Sequence, residues 1–289
     1  MSFSTNLSAD LLPTKSIVIC STGRSGSTLL CKTLSNLNCV GQSEEFFLPQ
    51  ILERNAVRSS ADELYDYLPK IYREGTTPNQ VFGIKLHWDH MKTLTKIART
   101  DPTLASKSNL EILNLFFPNP RFIFIRRGDL AKQAISASIG YQTGVYMIPK
   151  DFQGEPAYRK KKVFFNPLNI YRYKQGLRAR NKNWTTFFEQ NNLPFFEVVY
   201  EDLVKEFEPT IRQVMDFCDI ELPDETPIVQ GTKKQGNKIN ERWLRYYNLI
   251  PESLLARYSD LRSTLKKALK GGEGLPVTRP SVATDLTHF

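Results

Sequence analysis

Apolar residues along this chain fall into two alternating spacings. Short runs rich in β-branched and aromatic residues stand at 15–20, 81–86, 121–125 and 195–200, each bounded by polar or turn-forming residues. Such continuous runs predict strands buried on both faces. Between them the apolar period becomes helical. Leu30, Leu34 and Leu37 recur on one face and predict a helix over 27–38. Helical spacing also covers 90–117, interrupted at Asp101-Pro102, then 129–138 and 209–218. A long helix is expected at 167–190, with Ile170, Tyr173, Leu177, Trp184, Phe187 and Phe188 on its apolar side. Residues 221–240 are rich in Lys, Gly, Pro and Thr and read as a long loop. Alternating strands and helices predict an α/β fold with a mostly parallel central sheet flanked by helices on both faces.

No internal repeat or linker divides this pattern. One domain over 15–270 is expected, after a polar lead-in at 1–14 and before a glycine-rich tail at 271–289. The 289 residues can bury a substantial core without disulfides. The four cysteines, Cys20, Cys31, Cys39 and Cys218, form no C-x-x-C pair and are expected as free thiols. No apolar run reaches the roughly 18 residues of a membrane span, and no signal peptide is visible, which predicts a soluble, cytoplasmic protein. Three histidines are too few to suggest a histidine-based metal site. Lys and Arg number 39 against 30 Asp and Glu, a net charge of +9. That excess favours anionic partners but does not choose among nucleotides, sulfated or phosphorylated small molecules, nucleic acids and membranes.

The most informative segment lies between the first strand and the first helix: Thr22-Gly-Arg-Ser-Gly-Ser-Thr28. A loop opening onto a helix amino end presents unbonded N–H groups carrying partial positive charge. Gly23 and Gly26 are expected to permit the backbone angles that let these N–H groups converge on an anion. Ser25, Ser27 and Thr28 add hydroxyls, and Arg24 a guanidinium suited to phosphate. The same residues also fit an ordinary capped helix after a polar turn. Ser27 stands where a Walker A loop requires lysine, which weighs against a Mg²⁺-assisted kinase, and the G-x-G-x-x-G spacing of dinucleotide folds is absent. Scattered basic residues without an RNP-like aromatic motif weigh against a nucleic-acid-binding module.

The stretch from Ile17 through Arg24-Ser-Gly-Ser-Thr28 to Leu30, followed by Gly41-Gln-Ser-Glu-Glu-Phe-Phe47, resembles the trehalose sulfotransferase family. Phe82-Gly-Ile-Lys-Leu-His-Trp88 and Ile125-Arg-Arg-Gly-Asp-Leu-Ala-Lys-Gln-Ala-Ile-Ser136 extend the likeness, in family order, over about residues 15–250. The resemblance implies a P-loop-like sulfotransferase fold. It also implies metal-free transfer of a sulfuryl group from 3′-phosphoadenosine 5′-phosphosulfate (PAPS) to a hydroxyl of a carbohydrate or glycolipid acceptor. A homodimer is compatible with it.

Residue by residue, the resemblance assigns the 5′-phosphosulfate to Arg24, Ser25, Gly26, Ser27 and Thr28, and the 3′-phosphate to Arg127 and Ser136. Arg127 fits this pattern better than Arg126. Glu45, before Phe46-Phe47, takes the place of the general base. Adjacent carboxylates on an extended stretch point opposite ways, so Glu44 and Glu45 are not expected to share one environment. Lys85 reads either as a structural residue or as a stabiliser of the leaving group. His87 and His90 read as acceptor-pocket residues or, more commonly, as helix-surface histidines. Gln42 stands where the trehalose enzymes carry an acid, so the resemblance supports sulfation more firmly than trehalose. The basic, aromatic stretch at 144–166 reads as a wall of the acceptor pocket or as a solvated loop.

Overall fold

A computed structural model describes residues 12–146, 162–232 and 238–270. Four strands, β1 (Lys15–Ser21), β2 (Val81–His87), β3 (Pro120–Arg126) and β4 (Phe195–Val199), form one parallel sheet in the order β2-β1-β3-β4. All four strands lie where the apolar runs predicted them. Helix α1 (Ser27–Asn36) leaves the end of β1. Next come α2 (Pro49–Arg54), α3 (Ala61–Gly75), α4 (Trp88–Ala98), α5 (Asn109–Phe116) and α6 (Leu130–Thr143). The carboxy-terminal part adds α7 (Pro167–Gln190), α8 (Tyr200–Lys205), α9 (Phe207–Phe217), α10 (Lys238–Asn248) and α11 (Glu252–Lys270).

The pleat of β1 divides the core. Ile17 and Ile19 join Ile123, Ile125 and Val198 against Leu30 and Leu34 of α1 and Ile211 and Val214 of α9. Val18 and Cys20, with Phe82, Ile84, Phe122 and Phe124, face the helices on the opposite side. A third apolar cluster joins α6 and α7 to α10 and α11 through Ile135, Ile170, Leu177, Trp243, Tyr247 and Leu255. The cysteines are free, and burial pushes the Cys31 and Cys218 thiols up to about 12. Among the described residues no helix is long and apolar enough to cross a membrane.

Several expected boundaries move. The helix expected to end at Ser138 continues to Thr143, where Gly144, at φ 74°, stops it. The 90–117 stretch does break at Asp101-Pro102, as expected, and its second helix starts only at Asn109, where Ser108 caps it through a capping box with Glu111. The loop expected over 221–240 ends early, since α10 starts at Lys238.

From β1 the chain crosses to β2 at one side, then returns past β1 to β3 at the other. The carboxyl ends of β1 and β3 therefore flank a switch point, where open parallel sheets leave a ligand crevice. The loop after β1 and the turn at Arg127 after β3 both follow these ends.

Candidate active site

The β1–α1 loop is shaped by its backbone. Its left-handed residues are Arg24, at φ 66°, and Gly26, at φ 97°. This corrects the role expected of Gly23, whose φ is not positive. A Cβ added there would meet nothing within 4 Å, so Gly23 leaves open space rather than enabling a strained turn. At Gly26 a Cβ would lie 2.2 Å from the Tyr200 ring, so glycine is needed for space as well as for angle. Gly26 is also the N-cap of α1, and no side chain caps this helix. An ordinary serine cap is therefore not what the serines supply. The Ser25 hydroxyl is buried without a hydrogen-bond partner.

Distant residues hold the loop. Gln133 of α6 donates to Thr22 Oγ1 (3.0 Å) and to the Gly23 carbonyl (2.8 Å). Thr22 in turn donates to Asn181 of α7 (3.2 Å), and Trp184 Nε1 donates to the Ser21 carbonyl (3.1 Å). Two helices thus fix the loop that the sequence motif only outlines.

A basic cluster borders it. Arg24 Nε donates to Ser136 Oγ at 3.0 Å, and its Nη1 to the Tyr146 carbonyl. Burial, and then the like charge of Arg127, hold the Arg24 guanidinium below its ordinary value. Arg127 lies 4.7 Å above the Tyr200 ring and 3.5 Å from a Glu201 oxygen, with its Nε buried and not hydrogen-bonded. Glu201 also accepts from the Gly128 N–H at 2.8 Å, fixing the turn. Arg126 faces elsewhere, in a two-pronged ion pair with Glu197 of β4 (2.7 and 2.8 Å). Two guanidiniums close enough to oppose each other's charge, with a hydroxyl beside them, suit an anion with several oxygens.

Beside β2 stands a carboxylate. Glu44 makes a parallel bridge to Ile84 on the edge of β2, with its carbonyl accepting from Lys85 N–H at 3.0 Å. The two adjacent side chains part from there. Glu44 pairs with Lys32, whereas Glu45 lies 2.7 Å from the buried Lys85 ammonium. Lys85 Nζ also reaches Thr28 Oγ1 at 3.4 Å, tying the carboxylate to the loop. Burial works to raise the Glu45 carboxyl, but Lys85, helped by His87 and His90, outweighs it and holds the group below its ordinary value. Gln42 donates to the Ser35 carbonyl (3.3 Å), so its amide is engaged with the end of α1.

The histidines are not surface residues. His90 is 7 % exposed, and their rings stack at 4.9 Å. His87 ends β2 and His90 lies on the buried face of α4, both beside Glu45. Burial lowers the His87 imidazole to about 4, so it is neutral near pH 7, and its Nε2 has no partner. Glu45, His87 and His90 bring one ligand atom each within 4.8 Å of the others. Lys85 pairs with one oxygen of that carboxylate, and the two imidazole rings lie within 15° of parallel.

The Stf0 sulphotransferase family model matches residues 16–249, a stretch that contains every group of this crevice. The chain belongs to that family. This Stf0 sulphotransferase is 25% identical over 258 residues to the trehalose 2-sulfotransferase of Mycobacterium tuberculosis, covering 80% of this chain and 93% of the relative. The Mycolicibacterium smegmatis trehalose 2-sulfotransferase is 26% identical over 263 residues, covering 81% and 94%. The sulfotransferase domain of the Synechococcus PCC 7002 olefin synthase superposes with a TM-score of 0.38 at 16% identity, over 92% of this chain and 97% of that one. That superposition is too weak to bear on the site.

In this Stf0 sulphotransferase a hydrogen bond joins Arg24 to Ser136, charge couples Arg24 to Arg127, and Lys85 links Thr28 of the loop to Glu45. Most of the stretch 144–166 lies outside the described residues. Sequence reasoning missed Gln133, Asn181, Trp184, Tyr200 and Glu201. Each acts across more than 70 residues of chain, and no local pattern marks it.

Proposed function

We propose that this sulfotransferase uses PAPS as donor and a carbohydrate or glycolipid hydroxyl as acceptor, without a metal, and that Glu45 is the general base. The observation carrying this reading is the Lys85 bridge between Thr28, on the loop, and Glu45, the carboxylate. Support comes from this contact of a carboxylate with a loop whose helix end no side chain caps.

PAPS supplies the sulfuryl group and leaves its 5′-phosphate as the departing anion. The amino end of α1, with Ser25, Ser27 and Thr28, holds the 5′-phosphosulfate. Arg127 and Ser136 hold the 3′-phosphate. The main chain of Arg24 belongs to the loop, but its side chain is bonded to Ser136 and joins the 3′ cluster. Fit to such a donor is supported by two opposed guanidiniums and by the unpartnered Ser25 hydroxyl. Glu45 takes the acceptor proton as the new S–O bond forms, and Lys85 and the α1 amino end neutralise charge gathering on the departing oxygen. Neutral His87, with a free nitrogen beside Glu45, is assigned to acceptor hydroxyls.

Two measurements test this. Calorimetry in the presence of a chelator is expected to show 3′-phosphoadenosine 5′-phosphate binding clearly more tightly than adenosine 5′-phosphate. Equal affinities would remove the role given to Arg127 and Ser136. An acceptor screen with labelled PAPS across sugars, glycolipids and simple alcohols is expected to label sugar hydroxyls. Label reaching none of the sugars or glycolipids would overturn the acceptor class.

A further inference from the structure

The last two helices carry apolar surface that the core does not use. In α11, Leu255 is buried against the α6–α7 layer, and Glu252 pairs with Lys174 and Gln175 of α7. The opposite face exposes Leu254 (58%), Tyr258 (58%) and Leu261 (57%). Spacings of four and three residues place these on one stripe. Leu249 (81% exposed), in the turn before α11, and Tyr246 of α10 are exposed as well.

Exposed arginines edge the stripe on both sides. At 100° per residue, Leu254, Tyr258 and Leu261 span about 60° of arc, with Arg257 and Arg262 just outside its two edges. The sequence of α11 adds Lys266, Lys267 and Lys270, so the helix holds five basic residues against Glu252 and Asp260. Solvent-facing leucines and a tyrosine between arginines do not stabilise an isolated helix face. They are the arrangement of a helix lying in a membrane interface, with apolar groups toward the acyl boundary and cations among the headgroups.

We infer that the exposed face of α11, with the turn before it, docks the protein on a membrane surface rich in anionic lipid. Charge favours this occupant over a second copy of the chain. Pairing two such faces would bring like-charged arginine edges together, whereas phosphodiester headgroups complement them. This inference does not depend on the proposed reaction, and its test uses no donor or acceptor.

The full chain is mixed with phosphatidylcholine vesicles, with or without phosphatidylglycerol, and sedimented. Binding to the anionic vesicles, weakened by salt and much reduced on pure phosphatidylcholine, is the expected result. Replacing Leu254, Tyr258 and Leu261 together by Ser is expected to lower anionic-vesicle affinity at least about ten-fold, and Arg257→Gln about five-fold. Because the altered residues are exposed, circular dichroism and the melting temperature should stay unchanged. Failure to bind anionic vesicles at low salt would overturn the inference, as would equal binding by the triple variant. Light scattering that shows a dimer dissociated by the triple substitution, without lipid binding, would hand the face to a second copy instead.

Discussion

At the scale of single residues, the site depends on what Lys85 does to Glu45. Burial alone would favour the protonated carboxyl, and Lys85 reverses that preference. The group therefore stays ionised, and able to accept a proton, to lower pH than an ordinary glutamate. Turnover of the native enzyme is expected to begin its acidic fall at lower pH than an ordinary glutamate base would give. Glu45→Gln keeps the shape but cannot take the proton, and should lower kcat by about 10² or more while nucleotide affinity holds. Lys85→Met makes a different prediction. With the ammonium gone, burial is opposed only by His87 and His90 and the Glu45 carboxyl rises, so the acidic limb of the kcat profile moves to higher pH. Lower kcat with an unmoved limb would mean that Lys85 serves the leaving group alone and does not set the base. The same shift links to stability. A depressed carboxyl contributes stability above the ordinary carboxylate value and loses it as pH falls through the folded value.

At the scale of elements, the strand–loop–helix unit is held open by one glycine and not by the other. Gly26→Ala must fit a Cβ into the Tyr200 ring at φ 97°. It should cost more than the roughly 1–2 kcal/mol of a left-handed alanine and weaken nucleotide binding, read by thermal melts and calorimetry. Gly23→Ala, whose Cβ meets open space, should leave the melting temperature nearly unchanged. Equal losses from the two would show that the loop relaxes and does not depend on the Tyr200 contact. The motif itself could be read locally, since Gly, Ser and Arg occur there within seven residues. Which glycine was strained could not, because the constraint comes from a tyrosine at the far edge of the sheet. The strands were legible for a related reason: a parallel strand buried on both faces is apolar at nearly every position, as at Ile17 to Cys20. Helix α3 left a weaker signal, with Pro69 inside it and Tyr65, Tyr67 and Tyr72 forming much of its buried face. His87 and His90 were misjudged because His87 ends the buried strand β2 and is no helix-surface residue, and His90 stacks on it from the buried face of α4.

For the whole molecule, the crevice joins segments that are far apart in sequence, so a ligand there should report on global stability. The loop follows β1, Arg127 follows β3, Ser136 sits on α6, and Tyr200 and Glu201 begin α8. A nucleotide touching these groups binds the folded chain and has no equivalent site on the unfolded one. At about 100 times its dissociation constant, such a ligand stabilises by about 2.7 kcal/mol. For a chain of this size that is a rise in melting temperature of roughly 4–5 °C. We expect 3′-phosphoadenosine 5′-phosphate to produce it with or without Mg²⁺. Arg127→Ala should remove most of the rise for that nucleotide and little of the smaller rise given by adenosine 5′-phosphate. The variant also relieves the charge opposing Arg24, so its melting point without ligand should hold steady or increase slightly, despite the lost contacts to Tyr200 and Glu201. A variant that melts much lower without ligand yet keeps the full nucleotide response would make Arg127 a structural brace. The 3′-phosphate would then fall to Arg24 and Ser136, already joined by a hydrogen bond.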